Sequence, residues 1–348
     1  MKDLTKGPIV NHILTMAAPL AISMLTQIAY QLIDLYFVTR ISVSATAGVN
    51  AAGNAGFIFA ALMQVLGVGT VALVAHAIGR KDQADANLVF NQSMTLSASF
   101  GVLTTAFLGM FIRPYLGWVA DEQATIDAGA TFTYWVLPGF AAALPMAVLS
   151  SALRGSGIVV PTIAFYMLTV VINAILAPVL IAGWGTGAAL GVKGAGLATS
   201  ISIVAGTLFL GAYFHRSQRY ITANRQLMRP QIKQWRRILT VGLPIGGEVM
   251  LMFLSAAAVY YSIRKFGASA QAGYGIGWRV MQTILLPGMS IAFAAGPIVA
   301  QNFGAKNHAR VRETFRVAVL IGTVVMIITA TLVQWLSLFL FLFLYWVV

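Results

Sequence analysis

The 348-residue chain is 59% hydrophobic and only 9% charged, with a mean hydropathy of +0.84. Soluble domains carry about 25% charged residues, so an ordinary soluble fold is excluded. The chain has no cysteine, which excludes disulfides, thiolate metal sites and a cysteine nucleophile, and the placement of its +13 net charge argues against a nucleic-acid partner.

Nine mostly apolar stretches of roughly 20 residues or more are long enough to cross a bilayer core of about 30 Å. Helices are predicted over residues 9–38, 44–76, 88–112, 125–151, 159–182, 192–215, 237–263, 268–301 and 311–345. The first apolar segment is too long for a signal peptide and reads as a retained helix. Breakers are expected in the loops at Gly79, Pro114, Gly155-Ser156-Gly157, Gly183–Gly191 and Gly304.

Only two acids fall well inside these stretches, Asp34 in the first helix and Glu248 in the seventh, the other seven lying in loops or at helix ends. A carboxylate at membrane depth costs roughly 2.5–3.5 kcal/mol on insertion scales, so each is a candidate functional residue. Asp34 shares a helix face with Tyr30 at i−4 and Gln27 at i−7. That face suits a desolvated cation or a protonated acid held by hydrogen bonds. The alternative is a hydrated interfacial carboxylate paired with Arg40. In the fifth helix Asn173 is either a ligand or a helix-packing amide. Glu248 has Met252 at i+4 and follows Gly246-Gly247, which permit close approach. Arg279, in the eighth helix, is the basic residue placed within a membrane stretch, and a structural pair with Glu248 is the alternative to a substrate role. The four histidines (His12, His76, His215, His308) sit at helix ends or loops, and no metal-ligating or catalytic motif is visible, so the chain is read as neither a metalloprotein nor an enzyme.

The basic residues divide 16 to 5 between alternate loops, the larger group on the side of the N-terminus. This is the positive-inside pattern, and it predicts a cytoplasmic N-terminus in a plasma (inner) membrane. The basic run Arg216–Arg237 is expected to be a solvated loop against anionic lipid heads.

An internal repeat runs at an offset of 225. Ile13-Leu14-Thr15 with Pro19 recurs as Ile238-Leu239-Thr240 with Pro244, and Gly79, Lys81 and Ala84 recur as Gly304, Lys306 and Ala309. An even number of helices separates the halves, so both enter from the same face, as parallel repeats about an axis along the membrane normal. The predicted organisation is an all-α membrane protein with an N-terminal lobe over 1–215, a basic linker over 216–236 and a partial second lobe over 237–348. Completing the repeat would need about three more helices, so the chain is expected to be a truncated form. Asp34 maps onto Val259 and Glu248 onto Ser23, 11 positions apart in the repeat. That is a depth difference of roughly 16 Å at 1.5 Å per residue, so the acids are expected to serve different lobes or steps.

Ala18-Pro19 with Ile33-Asp34, Val74-Ala75-His76-Ala77-Ile78-Gly79, its repeat Val299-Ala300-Gln301-Asn302-Phe303-Gly304, and Gly194-Ala195-Gly196-Leu197-Ala198-Thr199 together resemble the multidrug and toxic compound extrusion (MATE) family of cation-coupled antiporters. The resemblance covers about residues 8–337. It implies two six-helix lobes that alternate access, exporting small organic cations or drugs in exchange for H+ or Na+, with no other cofactor and as a monomer among membrane lipids. It places the family's first-helix acid on Asp34 and a helix 5 asparagine on Asn173. The acid expected four residues later is here Ala177, which puts a two-carboxylate ion site in doubt. The family's helix 7 acid falls one turn beyond Glu248. A lipid-linked oligosaccharide flippase of the wider superfamily and an inactive truncated remnant are the other readings.

Overall fold

The computed structural model describes residues 3–185, 187–217, 220–263, 266 and 268–347, without every side chain among them. Among these, nine helices follow one another: α1 (Ile9–Thr39), α2 (Val43–Gly79), α3 (Gln83–Val119), α4 (Gln123–Gly155), α5 (Val160–Ala182), α6 (Gly191–Ser217), α7 (Ile232–Ile263), α8 (Ala268–Gly304) and α9 (His308–Val347). Each contains a window long and apolar enough to cross a bilayer. In lipid a helix satisfies its own backbone groups, which is why runs of this composition fold so.

Several helices extend beyond their predicted ends. α3 runs through Pro114 to Val119, where Leu116 is buried and Arg113 Nη1 meets Asp127 Oδ1 at 3.0 Å across the turn into α4. Proline removes only one backbone donor, and near a helix end the chain continues past it. Gly79 and Gly304 are likewise the last residues of α2 and α8 rather than loop residues.

The repeat is visible in the backbone. After α2, Lys81 takes φ 60°, and after α8 its equivalent Lys306 takes φ 59°. The bonds Arg80 N–His76 O, Lys81 N–Ile78 O and Asp82 N–Ala77 O recur as Ala305 N–Gln301 O, Lys306 N–Phe303 O and Asn307 N–Asn302 O. Asp82 caps α3 through Asp85 N at 2.9 Å, and Asn307 caps α9 through Arg310 N at 3.3 Å. The same end-capping at both copies of the sequence repeat marks two copies of one supersecondary unit.

The packing obeys the same symmetry. α2 packs on α7 as α8 packs on α1, α2 packs on α3 as α8 on α9, and α2 and α8 cross one another on the axis. The lobes close on each other through small residues. A Cβ on Gly79 would lie 2.0 Å from Gln301 O, and one on its equivalent Gly304 would lie 2.2 Å from His76 O. Gly242 and Gly246, one turn apart on α7, seat Val65 of α2, while Gly69 of α2 seats Ile238 of α7. Glycine allows such backbone contact between membrane helices, where packing and not hydrophobicity drives association. The symmetric counterpart is apolar: Ile13, Met16, Ala17 and Leu20 of α1 meet Ile291, Ala294 and Ile298 of α8.

All these interlobe contacts lie at one end of the bundle, which also carries the N-terminus, the α2–α3, α4–α5 and α8–α9 turns and the linker. This is the basic end. At its edge Asp85 of α3 receives Arg237 of α7 at 2.6 and 2.9 Å and Arg80 at 2.6 Å. The first lobe has its own core around stacked Phe90–Phe214 and Phe59–Phe140 pairs, with centroids 4.6 and 4.8 Å apart.

Candidate functional site

Towards the end of the bundle opposite the basic end, α1, α5 and α6 bring four polar side chains together. Asp34 and Tyr30 stand one turn apart on α1. Asn173 of α5 donates through Nδ2 to Tyr30 Oη at 3.2 Å. Thr199 of α6 has its hydroxyl 3.4 Å from Asp34 Oδ2 and 3.0 Å from Ala195 O. That hydroxyl carries one proton, so it serves the carboxylate or its own helix, not both.

Local sequence explains the placement of α6. A Cβ on Gly194 would fall 2.3 Å from Leu180 O of α5, and one on Gly196 2.7 Å from Phe132 O of α4. These glycines bring the helix backbones into contact, and Thr199 follows on the same stretch. Thr199 was not among the residues read as functional from sequence. Its signal was present, as the hydroxyl closing a small-residue run, but its partner lies on a helix 165 positions away.

Two acceptors in this cluster are buried and unpartnered among the described residues: Asp34 Oδ1 and Asn173 Oδ1. Buried polar atoms normally find partners, and leaving one without costs about 1–3 kcal/mol. Chemically, free oxygens of this kind can take a proton on the carboxylate or a hard cation bound by oxygen. The pairing of Asp34 with Arg40 does not form. The Arg40 guanidinium instead stacks on Tyr36, 4.3 Å from the ring centroid. Asn173, fully buried, is both a packing amide and a member of the cluster.

Ala177, where a second acid was considered, is wholly buried in an apolar group with Val38, Ile181 and Ala195. The cluster therefore holds one carboxylate. The Gln27 and Arg279 side chains lie outside the described residues, and with Arg279 the alternative reading of a Glu248 pair. Glu248 and Met252 are exposed on α7 and do not join the Asp34 cluster. Of the two glycines before Glu248, Gly246 is the approached one, by Val65, and Gly247 is open.

Among the described residues no group of His, Asp or Glu is arranged to hold a metal ion. A cavity of about 250 Å³ between α3, α4, α6 and the linker, walled by Phe90, Leu149, Phe214 and Met228, shares no residue with the Asp34 cluster.

The MatE family model matches residues 19–179 and 244–345. Among curated relatives, the probable multidrug resistance protein YoeA of Bacillus subtilis is 26% identical over 332 residues, 92% of this chain and 72% of that protein. The multidrug export protein MepA of Staphylococcus aureus is 24% identical, over 90% of this chain and 69% of that protein. In fold, the chain resembles a MATE transporter crystallised with MaD3S at a TM-score of 0.90 and 23% identity, over 96% of this chain and 75% of that one. An outward-facing multidrug resistance MATE transporter of the MOP superfamily gives 0.85 and 24%, over 93% and 71%. The expected two-lobe membrane architecture is borne out, and the chain, a multi-pass membrane protein, belongs to the MatE family.

Proposed function

We propose that the chain exports small organic cations in exchange for H+ or Na+, with the Asp34 cluster as the coupling site and the basic end facing the cytoplasm of an inner membrane. The observation that carries this reading is the buried Asp34 carboxylate whose Oδ1, with Asn173 Oδ1, has no partner among the described residues. The names of YoeA and MepA support drug export as the class of activity.

The geometry supports the following proposed mechanism. The lobes touch at the basic end, so the arrangement described is closed there, and Asp34 lies beyond the contact. A proton or sodium ion arriving from the opposite side neutralises Asp34 and binds the free oxygens, with Tyr30, Asn173 and Thr199 fixing the carboxylate. The charge change alters how α1 packs on α5 and α6, and this biases the lobes toward the opposite opening. An ion shifts such an equilibrium only by its differential affinity for the two states. The exported cation competes for the same change, and the methionine and aromatic surfaces of the lobes suit varied organic cations.

Asp34→Asn keeps the shape and removes the charge. It is expected to abolish ion-driven efflux while expression and folding stay at wild-type level. Proton- or sodium-dependent efflux that persists at the wild-type rate in this variant would remove Asp34 from the coupling step.

A further inference from the structure

At the basic end the glycine crossings close the lobes, yet one side chain adds a connection that the symmetry does not require. Gln301, near the end of α8, is 1% exposed. Its Nε2 donates to Gly155 O at 2.8 Å, the last residue of α4 in the other lobe. Its Oε1 accepts from Leu4 N at 3.0 Å. One amide thus joins three pieces of chain: the partial second lobe, the α4–α5 turn and the segment before α1.

That segment is held along its length. Leu4 is fully buried, and Asn302 Nδ2 reaches its carbonyl at 3.2 Å. Arg310 Nη2 donates to Gly7 O at 2.9 Å, and His12 Nε2 sits 2.6 Å from Lys6 O. Residues 3–8 therefore form a strap across the lobe junction, fastened to α1 on one side and to α8 and α9 on the other.

The repeat shows that this fastening is not a by-product of the crossing. The position equivalent to Gln301 is His76, and that of Asn302 is Ala77. His76 lies against Phe303, with ring centroids 5.7 Å apart, and among the described residues its side chain makes no hydrogen bond across the junction. Gly79 and Gly304 give the close approach on both sides; the amide latch exists on one.

We propose that Gln301, with the strap of residues 3–8, is a latch that holds the basic end closed, and that releasing it is a step of the transport cycle. The proposal rests on the alternating-access reading above. Opening the basic end draws α8 away from the α4–α5 turn. The Gln301–Gly155 bond must then break, and Leu4 must leave its buried seat. Loss of these bonds is expected to shift the closed-to-open ratio roughly tenfold or more.

The absence of cysteine makes the test direct. Ser156, beside Gly155 in the α4–α5 turn, is 2% exposed and serves as reporter when changed to Cys. The rate at which a membrane-impermeant maleimide labels Ser156→Cys in membrane vesicles open to the basic end is measured. The comparison covers the otherwise unchanged chain, Gln301→Ala and a deletion of residues 2–6. Labelling is expected to rise about tenfold in both altered chains and to stay within about twofold in His76→Ala, the repeat-equivalent control. Unchanged labelling in Gln301→Ala and in the deletion overturns the latch. So does an equal rise in His76→Ala, which would mean general loosening of the crossing. If Gln301→Ala yields no folded protein, the deletion alone decides. Labelling needs no transported substrate. Faster labelling alongside efflux that is indifferent to Asp34 would therefore keep the latch and sink the transport reading.

Discussion

The carboxylate of Asp34 has a tyrosine one turn below it, an asparagine across from that tyrosine, and a threonine hydroxyl at its own oxygen. The tyrosine was legible in the sequence, because an i−4 spacing on one helix puts side chains on one face, and Asn173 was reached only through the family resemblance. Thr199 was not, since nothing in a linear pattern tells which of several helices will present its hydroxyl to α1. The difference is testable. Thr199→Val keeps the shape and removes the hydroxyl, leaving Asp34 Oδ2 without a described partner. A hydrogen bond to a charged group contributes about 1.5–3 kcal/mol, so the ion dependence of efflux is expected to shift roughly tenfold or more. Folding should be unaffected, because the helix supplies its own bonds around position 199. In the Asp34→Asn background the same change should add nothing. An additive loss measured in the ion dependence of efflux would place Thr199 in a separate site.

At the scale of helices, the offset of 225 announced a parallel repeat, and the matched turns at Lys81 and Lys306 carry it into the backbone. The glycines were harder to read. As punctuation in a sequence, Gly79 and Gly304 mark the ends of apolar runs and suggest loops. In three dimensions they are where α2 and α8 cross backbone to backbone, a constraint set by the partner helix and invisible from either strand of sequence alone. Gly79→Ala must push Gln301 O away from a position 2.0 Å from the new carbon. Overpacking of this kind costs about 1–3 kcal/mol, and the melting temperature in detergent is expected to fall by several degrees. Gly322, in α9 with nothing within 4 Å of its Cβ direction, provides the control. There alanine should be neutral or slightly stabilising, since glycine costs a helix roughly 0.5–1 kcal/mol relative to alanine. Equal melting of the two variants would mean that α2 and α8 do not cross as tightly as described.

Over the whole molecule, the joint between the lobes is an exposed basic loop whose backbone is also clamped, which composition did not suggest. Between Tyr220 and Gln231 the linker has no helix of its own, and its backbone groups are taken up by a polar stripe on α3. Asn87 binds Tyr220 O and Thr222 N, Asn91 binds Thr222 O and Asn224 N, and Gln92 binds Leu227 O, Arg229 O and Gln231 N. Asn87, Asn91 and Thr95 recur every four residues, a face that was present in the sequence but whose partner is more than 130 positions away. The basic side chains of Arg225 and Arg229 stay exposed, so charge and clamp occupy opposite sides of one segment. The linker thereby belongs structurally to the first lobe, and its orientation is that of the basic end as a whole. The 16-to-5 division of basic residues is the ground on which that end is proposed to be cytoplasmic, because the bias acts on short loops flanking membrane helices. Gln226 is exposed, and it lies between the clamp points on Asn91 and Gln92, so an insertion there leaves both intact. A reporter fused at Gln226 is expected to be active in its cytoplasmic form and silent in its periplasmic form. Activity only in the periplasm would invert the molecule, turn the closed end outward, and require Asp34 to load from the cytoplasmic side.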